Sequence, residues 1–171
     1  DDLIRGIAGL NTLRGGAGND TIYGGTGNDI IDGGADSDTI YANAGDNIIY
    51  GGDDSDTIIS GTGNDTIYGG YIDSSNIHQD NNLQDWVSFE SALANVTVNL
   101  NQATAGTFAG ATGYAQSAAT GLDSLFGIEN IIASANDDNI TLNDTIVNTV
   151  YGGAGSDTIK VGTNAYKGGN T

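Results

Sequence analysis

Residues 15–68 read GGAGNDTIY, GGTGNDIID, GGADSDTIY, ANAGDNIIY, GGDDSDTII and SGTGNDTIY, which are six units of nine residues with no insertion. A short fixed period is typical of a solenoid, in which each unit packs only on its neighbours. Position eight of every unit is isoleucine, at Ile22, Ile31, Ile40, Ile49, Ile58 and Ile67. This spacing predicts very short strands that each turn one apolar side chain towards a narrow core.

Position six carries an oxygen-bearing side chain in every unit. Its members are Asp20, Asp29, Asp38, Asn47, Asp56 and Asp65. The residues before it are mostly glycine, which tolerates positive φ and lets backbone carbonyls turn towards a common point. In a stacked coil, aspartates two units apart lie about 4.8 Å from each other and repel unless a cation lies between them. Calcium takes six to eight hard oxygen ligands, so the pattern predicts calcium sites.

The repeat resembles the RTX nonapeptide, Gly-Gly-x-Gly-x-Asp-x-apolar-x, of calcium-binding proteins exported by bacteria. The resemblance implies an all-β fold, a right-handed parallel β-roll or β-solenoid. It also implies that each calcium ion lies between one unit and the second unit after it. The ligands would be both position-six side chains, the carbonyls of positions two and four below, and those of positions one and three above.

Carried onto this chain, the resemblance implies two sites along each edge of the roll. On one edge the sets are Gly16, Gly18 and Asp20 with Gly33, Ala35 and Asp38, then Gly34, Asp36 and Asp38 with Gly51, Asp53 and Asp56. On the other edge they are Gly25, Gly27 and Asp29 with Ala42, Ala44 and Asn47, then Asn43, Gly45 and Asn47 with Ser60, Thr62 and Asp65. Because Asn47 removes one carboxylate from both sites on its edge, we expect that edge to bind calcium more weakly.

Further units flank this run and extend the predicted ligands. Position six falls at Asp2 and Asn11 before the run, and at Asp138 and Asp157 in a second block that contains GGAGSDTIK (152–160). Asp138 and Asp157 are nineteen residues apart, one more than two units. Asn148 or Asp144 could fill the position-six place between them. We expect roughly four to eight calcium ions in total.

Composition agrees with a metal-stabilised extracellular protein. All but two of the 22 acidic residues are aspartate, and four basic residues leave a net charge of −18. That charge argues against nucleic acid or an anionic membrane as a partner, and no membrane-inserting segment is predicted. The chain has no cysteine. A small secreted domain without disulfides needs another source of stability, so we predict that it folds only with calcium.

Between the repeat blocks the period is lost. The sequence predicts a first block over residues 1–70, a polar loop and β insert over 71–132, and a second block over 133–171 that stacks with the first as one module. The segments DWVSF (85–89), VTVNL (96–100) and GIENI (127–131) resemble linkers found between RTX blocks, which implies a small β element that packs on the roll. Trp86 begins an alternating apolar stretch, and we expect its ring in the core.

Both ends of the sequence fall within a unit. The last residues, GGNT (168–171), followed by the first, DDLIR (1–5), make one complete nonapeptide. We therefore expect neighbouring repeats of the same protein, or copies that associate head to tail.

No catalytic motif is present, and we expect the chain not to be an enzyme. The leading hypothesis is a calcium-dependent structural or adhesive module of a secreted or cell-surface protein, such as an adhesin, surface-layer or filament protein exported by type I secretion. The alternative is the RTX block of a secreted toxin, lipase or protease whose catalytic domain lies elsewhere. A minor alternative is an ice-binding solenoid, because Thr26-Gly-Asn28 and Thr62-Gly-Asn64 align in the repeat, although Ala44 breaks the row.

Overall fold

The computed structural model describes residues 1–72, 78–79, 84–102, 112–142 and 148–161. Its strands are β1 (Leu3–Arg5), β2 (Thr12–Ala17), β3 (Thr21–Tyr23), β4 (Ile30–Ala35), β5 (Thr39–Tyr41), β6 (Ile48–Gly52), β7 (Thr57–Ile59), β8 (Thr66–Tyr68), β9 (Tyr71–Ile72), β10 (His78–Gln79), β11 (Trp86–Ser88), β12 (Thr97–Gln102), β13 (Thr112–Ser117), β14 (Gly121–Phe126), β15 (Asn130–Ile132), β16 (Asn139–Leu142), β17 (Val150–Tyr151) and β18 (Thr158–Val161). In these ranges no helix is long and apolar enough to span a membrane.

Successive strands of the repeat alternate between two sheets. One sheet has the order β1-β3-β5-β7-β11-β15-β17, and the other has the order β18-β16-β12-β13-β14-β8-β6-β4-β2. Neighbouring repeat strands pair in parallel with a shift of two units, as in the alignment of Ile22 with Ile40. Each full turn of the chain therefore uses two nonapeptides, and the predicted parallel β-roll is confirmed.

The narrow core lies between the two sheets. All six position-eight isoleucines are fully buried, while the residues beside them at positions seven and nine turn outward and are partly exposed. On the outer faces, tyrosines at position nine stack across strands, as Tyr23 does on Tyr41 with ring centroids 4.7 Å apart. One inward side chain for each strand leaves a core too thin to bury much apolar surface.

The insert contributes strands to both sheets. Strand β11 pairs in parallel with β7, and β14 pairs in parallel with β8. Strand β13 is antiparallel to its neighbours β14 and β12. The chain thus forms a small β element whose strands are continuous with the two sheets of the roll.

The expectation for Trp86 is wrong. Its strand pairs in register with β7, so that Trp86 aligns with Thr57 and Val87 aligns with the core residue Ile58. Trp86 therefore takes the outward position seven and stacks on Tyr151 with centroids 5.4 Å apart, while Val87 is fully buried. The two-residue alternation was correct, but the strand register selects which face is inside.

The second block joins the far side of the insert. Strand β17 pairs with β15, which places Asn148 two residues before the core-facing Val150, at position six of its coil. Strand β18 pairs with β16 and aligns Ile140 with Ile159. Asp144 and the terminal GGNT lie outside the described residues, and the domain limits at residues 70 and 132 stay predictions.

Candidate metal centre

The turns between strands hold the backbone conformation that the repeat predicts. Positions two and four have positive φ in all six units. Three of these residues are not glycine, namely Asp36, Asn43 and Asp54, with φ of 74°, 71° and 70°. Aspartate and asparagine enter this left-handed region more easily than other residues with a side chain. The departures from glycine therefore keep the turn.

Position-six side chains form two stacked rows, one along each edge of the roll. The first loop row contains Asp2, Asp20, Asp38, Asp56 and Asp85, and the second contains Asn11, Asn47, Asp29, Asp65 and Asp123. In both rows Oδ1 of one residue accepts the backbone N–H of the residue below, as Asp38 does from Asp20 at 2.7 Å. The inner members are at most 2% exposed. Rows of buried carboxylates at strand spacing concentrate negative charge inside both edges.

The second carboxylate oxygen is unsatisfied in most members of these rows. The buried Oδ2 atoms without a hydrogen-bond partner belong to Asp20, Asp29, Asp38, Asp56, Asp65 and Asp123. A buried carboxylate without a partner is strongly destabilising unless it is protonated or a cation neutralises it. The donor set is hard oxygen, and the orphaned atoms lie where the repeat predicts calcium. These residues therefore fit a calcium ion.

At the first residue of three units, Oδ2 of the aspartate in the same unit lies beside the position-one carbonyl of the coil above. A Cβ at Gly33 would collide with both Oδ2 of Asp38 and the carbonyl oxygen of Gly51. The same crowding occurs at Gly15 with Asp20 and Gly33, and at Gly24 with Asp29 and Ala42. The structure thus brings together the lower carboxylate and the upper position-one carbonyl of three predicted sets. At these three positions, glycine leaves room for the two oxygens.

Other predicted carbonyls form hydrogen bonds between coils. Position-three carbonyls accept hydrogen bonds from the position-four amides of the coil below, as the Ala44 carbonyl does from the Gly27 amide at 2.8 Å. Position-two carbonyls accept hydrogen bonds from the position-three amides of the coil above, as the Gly34 carbonyl does from the Asp53 amide at 2.8 Å. The bonds Gly18 to Ala35, Ala44 to Gly25, Gly45 to Thr62 and Thr62 to Asn43 follow the same pattern. A carbonyl oxygen has two lone pairs, so each retains capacity for a second partner.

Asn47 differs from the aspartates in a specific way. Its Oδ1 accepts from the Asp29 amide at 2.8 Å, as an aspartate would. Its Nδ2 donates to the Gly45 carbonyl at 3.0 Å. Asn11 repeats the contact, since its Nδ2 donates to the Gly9 carbonyl at 2.8 Å. In these two coils an N–H group satisfies a loop carbonyl from within the protein.

The outlying predicted ligands have different surroundings. Asp2 is exposed. Asp138 is buried, but the Ser134 amide and hydroxyl donate to its carboxylate at 2.8–3.0 Å, and the Val96 amide donates to Oδ1 at 2.7 Å. Asp157 is half-buried and accepts from the Asp138 amide at 3.0 Å. None of the three has the buried unsatisfied oxygen found in the first block.

Sequence reasoning missed the position-six residues of the insert. Asp85 lies above Asp56 and accepts its amide N–H at 2.8 Å, and Asp123 lies above Asp65 and accepts its amide N–H at 3.0 Å. Glu129 continues the first row by accepting the Asp85 amide at 3.1 Å. Both aspartates carry a visible signal, since each is followed two residues later by a buried apolar side chain, Val87 or Leu125.

Burial raises the pKa of several of these carboxyl groups. The pKa of Asp38 rises to about 6, that of Asp56 to about 8, and those of Asp65 and Asp123 to about 7. Loss of hydration is the main cause in every case, and backbone hydrogen bonds lower the pKa in part. Neighbouring carboxylates add to the rise for three of the four, as Asp85 does for Asp56. The metal-free roll therefore resists ionisation of its own loop rows.

In the described ranges no three carboxylate, imidazole or thiolate groups converge on one point. Two carboxylates from successive coils are the most that a loop row offers to one ion. Calcium bound there would take its remaining ligands from backbone carbonyls and water, and it would supply positive charge between the stacked carboxylates.

Comparison with known proteins agrees with this geometry. The family model described as the RTX calcium-binding nonapeptide repeat matches residues 5–40, 32–67 and 143–162. No curated protein shows a significant match to the chain. The matched ranges fall in both repeat blocks and contain the position-six aspartates with unsatisfied oxygens, except Asp123 of the insert. Both repeat blocks of the chain therefore contain RTX calcium-binding nonapeptide repeats.

Proposed function

We propose that the chain is a calcium-dependent extracellular structural or adhesive module, disordered without calcium and rigid with it. The observation that carries this proposal is the set of buried Oδ2 atoms without hydrogen-bond partners in the two loop rows. At neutral pH those carboxylates repel one another inside the roll, and a divalent cation between them removes the repulsion. The role is non-catalytic.

Calcium binding and folding are coupled in this proposal. Each site needs two coils stacked in register, so the unfolded chain contains no preformed site. When the calcium concentration is one hundred times the Kd of a site, that site stabilises the fold by about 2.7 kcal/mol. The contributions of several such sites add. Extracellular calcium would therefore switch the module from an unfolded, strongly acidic chain to a roll.

Circular dichroism with and without about 1 mM calcium tests the coupling. We expect a β-sheet signal in calcium that is lost when chelator is added and restored by excess calcium. Magnesium at the same concentration is the control, since its stricter octahedral geometry suits these flexible loops poorly. A β-sheet signal that persists in chelator at neutral pH would contradict the proposal.

Assembly into a longer tandem or filamentous surface protein is the finer part of the proposal. At one end of the roll Leu3, Ile7 and Leu10 are 62%, 84% and 77% exposed, and at the other Ile159 and Val161 are also exposed. Every strand of both sheets except β13 runs in the same direction, so the two ends could pair in parallel. Open strand edges with apolar residues favour pairing with another chain.

Light scattering of the calcium-loaded protein tests this assembly. Growth in particle mass on addition of calcium supports end-to-end contact if Ile7→Lys suppresses it. The control Asn28→Lys, on the outer surface, should leave the growth unchanged. A monomer at all concentrations favours the alternative, an RTX block that assists the secretion or folding of a catalytic domain located elsewhere.

A further inference from the structure

Residues 118–126 read AATGLDSLF and lie in the part of the chain that the family model leaves unmatched. They follow the nonapeptide only in part, with glycine at position four, aspartate at position six and leucine at position eight. Gly121 has a φ of 96°, as position-four residues of the repeat do. In the structure this segment stacks directly on the last unit of the first block, residues 60–68.

Four contacts between the two segments reproduce those between ordinary units. Gly63 donates to the Thr120 carbonyl, Leu122 to Oδ1 of Asn64, Asp65 to Oδ1 of Asp123, and Ser124 to the Asp65 carbonyl, all at 2.8–3.0 Å. The unit below has the equivalent bonds, for example from Gly45 to the Thr62 carbonyl at 2.8 Å. Phe126 also stacks on Tyr68, with centroids 4.7 Å apart, and extends the tyrosine stack of the outer face.

Unsatisfied oxygens point to a ligand at this junction. Asp65 and Asp123 are at most 1% exposed, and Oδ2 of each has no hydrogen-bond partner. The Thr120 hydroxyl is also buried without a partner. Two carboxylate oxygens and a hydroxyl, all buried and unsatisfied in two stacked coils, fit a hard divalent cation.

We infer that residues 118–126 form a further coil of the roll, although their sequence keeps only part of the repeat, and that they complete a calcium site with Asp65. The ligands would be the carboxylates of Asp65 and Asp123 with carbonyls of Gly61, Gly63 and Thr120. The second loop row runs from Asn11 to Asp123, and Asp65 and Asp123 are its one pair of neighbours that are both aspartate. Every other pair in the row contains Asn11 or Asn47. The insert thereby supplies the row with its site of highest charge.

The variant Asp123→Asn tests this inference in the full chain. Asparagine already occupies position six of this row at Asn47, where its amide donates to the carbonyl two residues earlier. The variant can form the same bond to Gly121 and so keep the turn. Because Asp–Asn pairs form the two weaker predicted sites at Asn47, we expect isothermal titration calorimetry to show one site of Asp123→Asn weakened by about tenfold. The control Glu90→Gln removes one exposed charge outside both rows and should leave the calcium affinity unchanged.

Crystals of the wild-type chain grown in calcium give a second measurement that does not depend on how the variant folds. An anomalous density peak between Asp65 and Asp123 supports the site, and its absence overturns it. A calcium affinity unchanged by Asp123→Asn would also overturn the site. The inference rests on the proposed calcium-dependent role, but it fails separately: a wild-type chain that binds no calcium would contradict both, whereas calcium-dependent folding without this ion contradicts only the site.

Discussion

The chemistry of a single position, the sixth in each unit, sets how strongly a coil needs a cation. Aspartate and asparagine there offer the same Oδ1 to the coil below. They differ in the second atom, which is an unsatisfied oxygen in Asp65 and an N–H donor to the Gly45 carbonyl in Asn47. One amide thus replaces, from within the protein, part of what a calcium ion would do.

Asn47→Asp should strengthen calcium binding along the second loop row. The change removes the internal N–H donor and adds a carboxylate to the two predicted sites that share this residue. We expect the calcium concentration at half-folding to fall, with binding to these sites tighter by about tenfold, or about 1.4 kcal/mol. Isothermal titration calorimetry measures the affinity.

Asn28→Asp is the matched control for this variant. It adds the same charge at an exposed position five, where the side chain accepts the Asp46 amide at 3.0 Å. Aspartate already makes the equivalent contact when Asp46 accepts the Asn64 amide at 2.8 Å. Equal gains in affinity for the two variants would show that overall charge, and not position six, sets the binding.

Gly33→Ala should impair folding in calcium. The added methyl group would collide with Oδ2 of Asp38 and with the carbonyl of Gly51, two predicted ligands. Displacing both should destabilise the calcium-loaded roll by about 1–3 kcal/mol, in the range of a strained packing change. Chemical denaturation at fixed calcium measures the loss. Ala44→Thr, on a row where Thr26 and Thr62 already occur, should stay within about 0.5 kcal/mol of wild type.

Among the strands, the insert behaves as part of the roll. Strand β14 aligns Leu125 with Ile67 of the first block, and β11 aligns Val87 with Ile58. All four side chains are fully buried. The hydrophobic core therefore runs from the repeat through the insert, and we expect the two parts to unfold together.

Leu125→Ala and Leu122→Ala form a matched pair that tests this continuity. Leu125 is fully buried, whereas Leu122, three residues earlier on the same strand, is 50% exposed. We expect Leu125→Ala to lower the unfolding free energy by about 2–5 kcal/mol and Leu122→Ala to change it by less than about 0.5 kcal/mol. Denaturation followed at the tyrosines of the first block measures both. If that signal is insensitive to Leu125→Ala, the insert folds as a separate unit.

Over the whole molecule, net charge and metal binding act together. A charge of −18 disfavours any compact state, and the two loop rows bury part of it. Protons and calcium ions are therefore alternative ways of neutralising the same carboxylates. Their competition determines how the stability of the roll depends on pH.

Acidification should favour the roll in calcium-free solution. The folded-state pKa values of Asp38, Asp56, Asp65 and Asp123, about 6 to 8, lie above the ordinary value of 3.8. The metal-free roll therefore binds more protons than the unfolded chain between about pH 4 and 8. Its stability is greatest below pH 4 and is lost as the pH rises through 6 to 8.

Circular dichroism of dialysed, calcium-free protein from pH 8 to pH 4 measures this effect. We expect β-sheet signal to rise on acidification, with sedimentation as the control for aggregation. In calcium the trend should reverse between pH 8 and 6, because protons compete with the ion for these carboxylates. An unfolded chain at pH 4 would show that protonation of the loop rows does not stabilise the roll.

The sequence predicts the residues of the candidate site where the repeat is regular and misses them where it is interrupted. Asp20, Asp38 and Asp56 were found because each is eighteen residues from the next and holds the same place in its unit. Asp85 and Asp123 were missed because 29 and 58 residues separate them from Asp56 and Asp65, their neighbours in the roll. Irregular chain between two stacked residues removes the period but leaves the strand pairing intact.

The sequence by itself determined the solenoid, the isoleucine core and the aspartates that point to calcium, since local periodicity specifies which residues share a face. Tertiary structure alone decided that the insert extends both sheets, that Trp86 faces outward, and that Asn47 satisfies a loop carbonyl. Each of these depends on which strands pair and in what register. Pairing between distant segments is a property of the packed roll, and a nine-residue pattern cannot contain it.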